Sequence, residues 1–267
     1  MEQAAHPPRL GFGLVGRSPQ AASELAPVGA ELEALGYDEV WVNDGRSRSA
    51  LDTLAALSPG TRQLDLCTGV TPLDERSPTW IAERVRALDL PHDRLVLGVG
   101  SGGASSLALV RDGVAELRRL LPDCRVAVSA LGPRMCSLAG EVADLVLLNW
   151  AFPDRIAWAR ERVAEGAATA GRTPPRVAGY VRVALGPTAA GRLDEEARRY
   201  ATRPRAYRAL FAAVPGVAAL NVGDVPEQLA PYRAALDSCV IRALPVSDDA
   251  AGWLAVARAG AGQLEGA

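Results

Sequence analysis

The stretch from Arg125 to Trp150, RVAVSALGPRMCSLAGEVADLVLLNW, decides the fold of this 267-residue chain. It contains two short apolar runs, Arg125–Ala130 and Asp144–Asn149, in which apolar residues follow one another instead of alternating with polar ones. Such runs are typical of parallel strands that are covered on both faces. Between them, Gly132 and Pro133 favour the start of a helix, because proline is tolerated in a first turn. The stretch therefore predicts a parallel strand–helix–strand unit.

The same alternation of strand and helix patterns continues along the sequence. Between the apolar runs lie helical stripes, such as Val110, Val114, Leu117 and Leu121, which fall on one helix face. Eight strands alternating with helices in about 250 residues indicate a (β/α)8 barrel, and a doubly wound open sheet is the alternative. The predicted strands are Leu10–Val15, Glu39–Asn43, Leu64–Val70, Arg94–Val99, Arg125–Ala130, Asp144–Asn149, Val177–Leu185 and Cys239–Leu244.

The widest gap between predicted strands precedes Cys239–Leu244. Two helical stretches, Asp194–Val214 and Pro226–Asp237, fill it, so we interpret the gap as an elaborated crossover. No linker composition interrupts the pattern, which predicts a single barrel domain over residues 1–267.

Composition excludes several kinds of chemistry. All 29 basic residues are arginine, so lysine Schiff-base enzymes, pyridoxal-phosphate enzymes, phosphate-loop ATPases and kinases are excluded. With only two histidines, His6 and His92, we expect no metal site. A net charge of −2 and 5% aromatic residues do not favour nucleic-acid binding. Four isolated cysteines and the lack of a signal-peptide or membrane-spanning pattern lead us to expect a cytoplasmic protein with no membrane contact.

Two glycine motifs match the G-x-G-x-x-G pattern of dinucleotide-binding proteins. The first begins at Gly11, where the preceding strand is too short, and the second begins at Gly98, where the next strand ends without an acidic residue. We interpret both as tight strand-to-loop transitions that need small residues.

The ends of the predicted strands are rich in glycine and small hydroxyl residues, with no cluster of carboxylates or histidines. In a barrel the chemistry lies at these carboxyl ends. The pattern indicates a site in which a bound cofactor performs the difficult step. The Gly132-Pro133 step is either a phosphate-binding helix N-terminus or simply a helix start.

Four segments carry a resemblance to a known family. Leu66–Pro78 (LCTGVTPLDERSP) and Leu97–Gly102 (LGVGSG) resemble the third and fourth strands of the luciferase-like flavin and deazaflavin oxidoreductases. Val128–Trp150 is similar to the branch that contains coenzyme F420-dependent methylenetetrahydromethanopterin reductase. The segment Leu35–Asp44 (LGYDEVWVND) fits the family's second strand, and the similarity is weak after about residue 175.

The resemblance implies a (β/α)8 barrel, usually a homodimer, that binds F420 or FMN at its carboxyl face. It implies a non-proline cis peptide near Gly69 and Val70 behind the cofactor ring, and a phosphate site at Ala130 to Arg134. The cofactor residues that it implies are Gly69, Val70, Thr71, Gly100, Ser101, Gly102, Ala130, Leu131, Gly132, Pro133, Arg134 and Asn149. The substrate residues are Asn43, Arg76 and Trp150, although Arg76 is equally able to cap its own loop.

The sequence departs from the family at two places. Members commonly have Asp-His after the second strand, whereas Asp44 is followed here by Gly45. Asp44 is our first choice for proton delivery, ahead of Thr71, Ser101, substrate or water, and it is equally suited to cap the next helix. The long excursion between strands four and five is also missing, since only residues 103–124 connect them. We infer an open mouth, suited to a large or tethered substrate or to a partner that supplies the wall.

These features favour an F420-dependent reductase that transfers hydride to an activated double bond or imine of a small molecule or a modified peptide. The alternatives are an FMN-dependent luciferase-like monooxygenase and a non-catalytic flavin-binding relative. Arg182 and Arg242, in or near the last two strands, either reach the pocket as anion binders or pair outside the barrel.

Overall fold

The structure is a computed structural model that describes residues 8–15, 22–44, 49–150, 152–202 and 216–262. The strands are β1 Arg9–Val15, β2 Glu39–Asn43, β3 Asp65–Thr68, β4 Thr71–Pro72, β5 Leu95–Gly100, β6 Arg125–Ala130, β7 Leu145–Asn149, β8 Arg176–Leu185, β9 Val217–Ala219 and β10 Ser238–Leu244. The helices are α1 Ala22–Ala34, α2 Ala50–Leu57, α3 Pro78–Ala87, α4 Leu107–Leu120, α5 Pro133–Val142, α6 Pro153–Thr169, α7 Ala189–Ala201, α8 Val225–Ala235 and α9 Ala250–Ala261.

The strands form a closed parallel barrel. Their order is β10-β1-β2-β3-β5-β6-β7-β8, and β10 also pairs with β8 in parallel, which joins the two ends of the sheet. The (β/α)8 prediction is confirmed, and the open doubly wound sheet is wrong because an open sheet has two unpaired edges. Between β5 and β6 the chain forms only a short 3-10 turn, Gly102–Ala104, and helix α4.

The strand predictions agree with the structure to within one residue at most ends. The exception is the predicted strand Leu64–Val70, which is interrupted: β3 ends at Thr68 and β4 resumes at Thr71 beside Val99 of β5. Strand β9 was not predicted, because a three-residue strand carries too little pattern to detect.

Of the two helices predicted for the crossover before β10, only the second lies wholly within the described residues. Helix α7 begins at Ala189, earlier than the predicted Asp194, and the rest of the stretch predicted to end at Val214 lies largely outside the described residues. Helix α8, Val225–Ala235, lies within two residues of the predicted Pro226–Asp237.

The amino end of the barrel is filled by a buried ion-pair network. Glu39 is 1% exposed and contacts Arg9 Nε at 3.0 Å and Arg176 Nη1 at 3.6 Å. Asp65 accepts two hydrogen bonds from Arg125, at 2.7 and 2.9 Å. Paired arginines therefore stabilise the carboxylates in the interior, where an unpaired charge would be costly.

The middle of the barrel is apolar and explains the first glycine motif. Trp41 and Tyr180 cross the interior with their rings edge to face, at a centroid distance of 6.5 Å. A Cβ atom at Gly11 would lie 3.4 Å from Trp41, and one at Gly13 would lie 2.8 Å from Tyr180. The two glycines thus lie within β1 and not at the strand-to-loop transition that the sequence predicted, and their lack of a side chain makes room for the two rings.

Helices α5 and α6 approach each other closely through two glycines. A Cβ atom at Gly140 would lie 2.0 Å from the Val163 carbonyl oxygen, and one at Gly166 would lie 1.9 Å from the Ser137 carbonyl oxygen. This contact fixes helix α5, whose first turn follows the β6 loop. Among the residues that the structure describes, no helix is long and apolar enough to cross a membrane.

The close contact between α5 and α6 yields a stability prediction. Gly140→Ala should lower the free energy of unfolding by about 1–3 kcal/mol, because the added methyl group collides with backbone. Gly191→Ala is the matched control, because a Cβ atom at Gly191 has nothing within 4 Å. This substitution should raise the free energy of unfolding by about 0.5–1 kcal/mol, because alanine lowers the conformational entropy of the unfolded chain. Urea unfolding of both variants measures the difference. Equal stability of the two would contradict the packing that we describe.

Candidate cofactor and substrate site

The centre of the candidate site is the interruption between β3 and β4. The peptide bond between Gly69 and Val70 is cis, at the position that the resemblance implied. The Gly69 carbonyl oxygen accepts hydrogen bonds from the Asn43 amide and, at 3.2 Å, from the Tyr180 hydroxyl. Asn43, predicted to bind substrate, therefore holds the bulge. Burial raises the pKa of Tyr180, so its hydroxyl stays protonated as a donor.

The two glycines of β5 accommodate this bulge. A Cβ atom at Gly98 would lie 1.9 Å from the Thr68 carbonyl oxygen, and one at Gly100 would lie 3.2 Å from a Val70 methyl group. The same Gly100 position is 3.7 Å from Ser129 Cβ. The structure therefore brings Gly69, Val70 and Gly100 together as predicted, and it adds Ser129, which the sequence analysis missed.

The loop after β5 is held by a carboxylate that the prediction did not include. Asp74 accepts hydrogen bonds from the backbone N–H groups of Gly103 at 2.7 Å and Ala104 at 3.2 Å. Gly102 has a φ of 58°, and a Cβ atom there would lie 1.7 Å from Asp74 Oδ1. Gly102 is thus required by the turn and by Asp74. Ser101 is half-buried beside it, and Thr71 is buried in β4.

The loop after β6 leaves the N-terminus of α5 open. Gly132 precedes the helix, no side chain caps it, and a Cβ atom at Gly132 would have nothing within 4 Å. Pro133 and Arg134 are exposed in the first turn. Because first-turn N–H groups have no partner within a helix, this end can accept an anion.

A small cleft, with a cavity volume of about 10 Å³, lies beside the open helix end. Arg155 lines it and donates a hydrogen bond to the Leu131 carbonyl oxygen, and burial lowers the pKa of Arg155. Arg155 was not predicted from the sequence, although its place in the first turn after β7 puts it at a strand's carboxyl end. The lining residues are Ala130, Leu131, Cys136, Leu148, Asn149, Arg155 and Ala159, which include three of the predicted cofactor residues.

Asp44 and Arg76 form an ion pair. Arg76 Nε lies 2.8 Å from Asp44 Oδ2, and Asp44 Oδ1 accepts a hydrogen bond from the Ala50 N–H at 3.0 Å. Asp44 thus binds the start of α2, which was the alternative to proton delivery. The Arg76 guanidinium also lies over the Trp80 ring, 4.4 Å from its centroid. Both oxygens of Asp44 already accept hydrogen bonds in this structure.

The wall formed by β8 and β10 carries Arg182 and Arg242. The two residues are paired in the register of these strands and are 1% and 6% exposed, so both lie inside the barrel. Arg182 Nη1 donates to Asn149 Oδ1, and its guanidinium stacks on Trp150, 3.9 Å from the ring centroid. Asn149 and Trp150, predicted to bind cofactor and substrate, therefore also position Arg182.

The sequence matches the profile of a family described as luciferase-like monooxygenase, over residues 10–116 and 110–255. These segments include the bulge, both glycine-rich loops and the arginine wall. The chain belongs to the luciferase-like monooxygenase family.

Two proteins of similar sequence are 5,10-methylenetetrahydromethanopterin reductases. That of Methanolobus tindarius is 29% identical over 54% of this chain and 56% of its own length. That of Archaeoglobus fulgidus is 27% identical over 53% of each. The chain spans about half the length of these curated relatives.

Solved structures share the luciferase-like fold over nearly the whole chain. An F420-dependent secondary alcohol dehydrogenase, in complex with an F420-acetone adduct, has a TM-score of 0.76 at 14% identity and covers 97% of this chain and 100% of its own. The F420-dependent tetrahydromethanopterin reductase of Methanopyrus kandleri has a TM-score of 0.70 at 17% identity, covering 95% and 98%. An FMN complex of a Pseudomonas putida Baeyer-Villiger monooxygenase has a TM-score of 0.65 at 14% identity, covering 95% and 98%. At these identities the likeness shows the fold.

The Cys136 thiol, which lines the cleft, should react slowly with thiol reagents. Burial raises the pKa of Cys136 from 9.0 to about 11, so only ~0.1% of it is thiolate at pH 8. We expect Ellman's reagent to label the native protein about 100-fold more slowly than an unhindered thiol at pH 8, and rapidly in denaturant. Cys136→Ser in the native protein should change the labelling trace little. Fast native labelling that this substitution removes would show that the thiol is accessible and ionised.

Proposed function

We propose that this chain is an F420-dependent oxidoreductase, and more specifically a reductase. The observation that carries the proposal is the open, uncapped N-terminus of α5 beside a glycine-lined barrel mouth. The names of the similar reductases support F420 in preference to other cofactors.

The residues fit an anionic cofactor of this kind. The open space at Gly132 and the first-turn N–H groups suit the phosphate of the cofactor, and Arg134 is exposed beside them with no ion-pair partner among the described residues. Gly100 and Val70 present small and apolar surface at the mouth, where a flat ring can approach the backbone. The proposed cofactor residues remain the twelve named from the sequence, with Ser129 and Arg155 added.

A bound deazaflavin would supply the hydride. Side chains of the protein position the backbone of the site: Asn43 and Tyr180 bind the Gly69 carbonyl, and Asp74 binds the loop after β5. Such preorganised contacts remain in place during a reaction and need no rearrangement. The Asp44–Arg76 pair lies at the rim of the site, where Arg76 can contact substrate.

The substrate that we propose has an activated double bond or imine, in a small molecule or a modified peptide. The short connection between β5 and β6 contains no segment long enough to cover the mouth, which agrees with a large or tethered substrate.

We propose a homodimer on the resemblance to the family. An FMN-dependent monooxygenase is the second candidate, because the same helix N-terminus fits an FMN phosphate. A non-catalytic relative is the third, since both Asp44 oxygens are already engaged.

Cofactor titration tests the proposal. We expect purified protein to bind F420 with a change in its absorbance, and to bind FMN at least about tenfold more weakly. Mixing with reduced F420 and a substrate should restore the absorbance of oxidised F420. Binding of FMN alone would overturn the F420 proposal, and oxygen consumption with reduced FMN would favour the monooxygenase. The absence of binding to either would overturn the proposal, and binding of a flavin that no substrate reoxidises would favour the non-catalytic flavin-binding relative.

A substitution at the open helix end tests the phosphate site. Gly132→Asp should weaken F420 binding about tenfold or more, because its carboxylate occupies and repels the phosphate position. It should not lower the melting temperature, since aspartate is a good helix cap. Gly191→Asp is the control, with the same charge change at another open glycine, and should leave F420 binding unchanged. Equal affinities in the two variants would place the phosphate elsewhere.

The proton-donor role of Asp44 stays a prediction and has its own test. If Asp44 delivers a proton, Asp44→Asn should lower kcat about 100-fold and remove one limb of the pH–rate profile. If Asp44 only positions Arg76, the substitution should mainly raise KM and leave the shape of the profile unchanged. Asp52→Asn, which breaks a more exposed ion pair with Arg84, is the control for the general loss of a surface charge.

A further inference from the structure

Arg242 is a buried cation that lacks a charge partner in the described part of the chain. Its side chain is 6% exposed, and its Nη1 atom has no hydrogen-bond partner there. None of the ion pairs among the described residues includes it. The aliphatic stem of Arg242 lies beside Gly13 of β1, since a Cβ atom at Gly13 would lie 3.4 Å from Arg242 Cδ. The structure therefore holds this guanidinium inside the barrel and leaves one of its donors unused.

A second guanidinium lies next to it. Arg182 pairs with Arg242 in the register of β8 and β10, one layer above the pairing of Tyr180 with Val240. Two residues along a strand correspond to about 7 Å, so both arginines lie closer to the carboxyl face than Tyr180 does. Arg182 is held by Asn149 and by the Trp150 ring. Asn149 and Trp150 thus fix the position of Arg182 beside Arg242.

The carboxylates inside the barrel are already used by other arginines. Glu39 and Asp65 lie in the amino-end layer with Arg9, Arg125 and Arg176. A buried guanidinium with an unsatisfied donor is costly unless a ligand completes it. The planar fork of arginine matches a carboxylate, with which it forms paired charge-assisted hydrogen bonds.

We propose that Arg242 and Arg182 form a binding site for the carboxylate of the substrate. This inference rests on the proposed function and narrows it: the substrate would be a carboxylic acid with its reducible double bond or imine close to the acid group. The site is separate from the phosphate loop. That loop follows β6, whereas Arg242 lies on β10, and β7 and β8 stand between them in the barrel order. Two anion sites on different walls would hold cofactor and substrate at the same time.

The test uses the apo protein and a matched pair of small probes. We expect trans-2-butenoate to bind by calorimetry and to raise the melting temperature, while the uncharged trans-2-butenamide does neither. Arg242→Met keeps the stem and removes the charge, so it should weaken butenoate binding about 10- to 100-fold. Arg242→Lys should restore part of the affinity, because the lysine cation replaces the charge without the fork.

The melting temperature of the variants without ligand provides a second readout. Arg242→Met should melt at the same or a higher temperature than the parent, because it removes a buried charge without a partner. Arg176→Met is the control: it removes a partly exposed arginine that is paired with the buried Glu39, so it should melt lower and bind butenoate as the parent does. A marked fall in melting temperature for Arg242→Met would assign Arg242 a structural role and overturn the proposal.

The remaining outcomes separate this site from the proposed function. Butenoate binding that depends on Arg242 supports the subsite even if F420 does not bind, in which case only the proposed function fails. Butenoate binding that is unchanged in Arg242→Met overturns the subsite even if F420 binds. If Arg242→Met loses F420 affinity tenfold or more, the arginine serves an anion of the cofactor, which also overturns the substrate assignment.

Discussion

The parallel pairing of β10 with β8 is the constraint on which the rest of the structure depends. It joins the last strand to the middle of a ten-residue strand and closes the sheet. Closure places Tyr180 where its hydroxyl reaches the Gly69 carbonyl on the opposite side of the barrel. It also brings Arg182 beside Arg242. An open sheet with the same strands would leave both the bulge and the arginine wall without these contacts.

The two ends of the barrel use the same residue type in different ways. At the amino end, Arg9 and Arg125 form ion pairs with the buried carboxylates of Glu39 and Asp65, so their charges are paired within the chain. At the carboxyl end, Arg182 is held by an amide and a ring, and Arg242 keeps an unused donor. A chain without lysine builds both arrangements from the planar, always charged guanidinium. The first arrangement stabilises the fold, and the second leaves Arg242 Nη1 without a hydrogen-bond partner in the described part of the chain.

The site itself consists mainly of backbone held in position by side chains. Asn43, Tyr180 and Asp74 each bind a backbone group at the mouth, and the glycines next to them allow close approach. Such a site has little acid–base capacity of its own. It is consistent with a cofactor that carries the reactive group and with arginines that set which anionic partner lies beside it.

The sequence by itself determined the strand–helix order, the barrel, the position of the bulge through resemblance, and the open helix start at Gly132. These follow from local patterns, because periodicity and turn residues act over a few positions. Only the tertiary structure decided that Asn43 holds Gly69, that Asp44 pairs with Arg76, and that Arg242 points inward beside Arg182. Each of these contacts joins strands or loops that are distant in sequence. Their partners depend on the register and closure of the barrel, which no local pattern encodes.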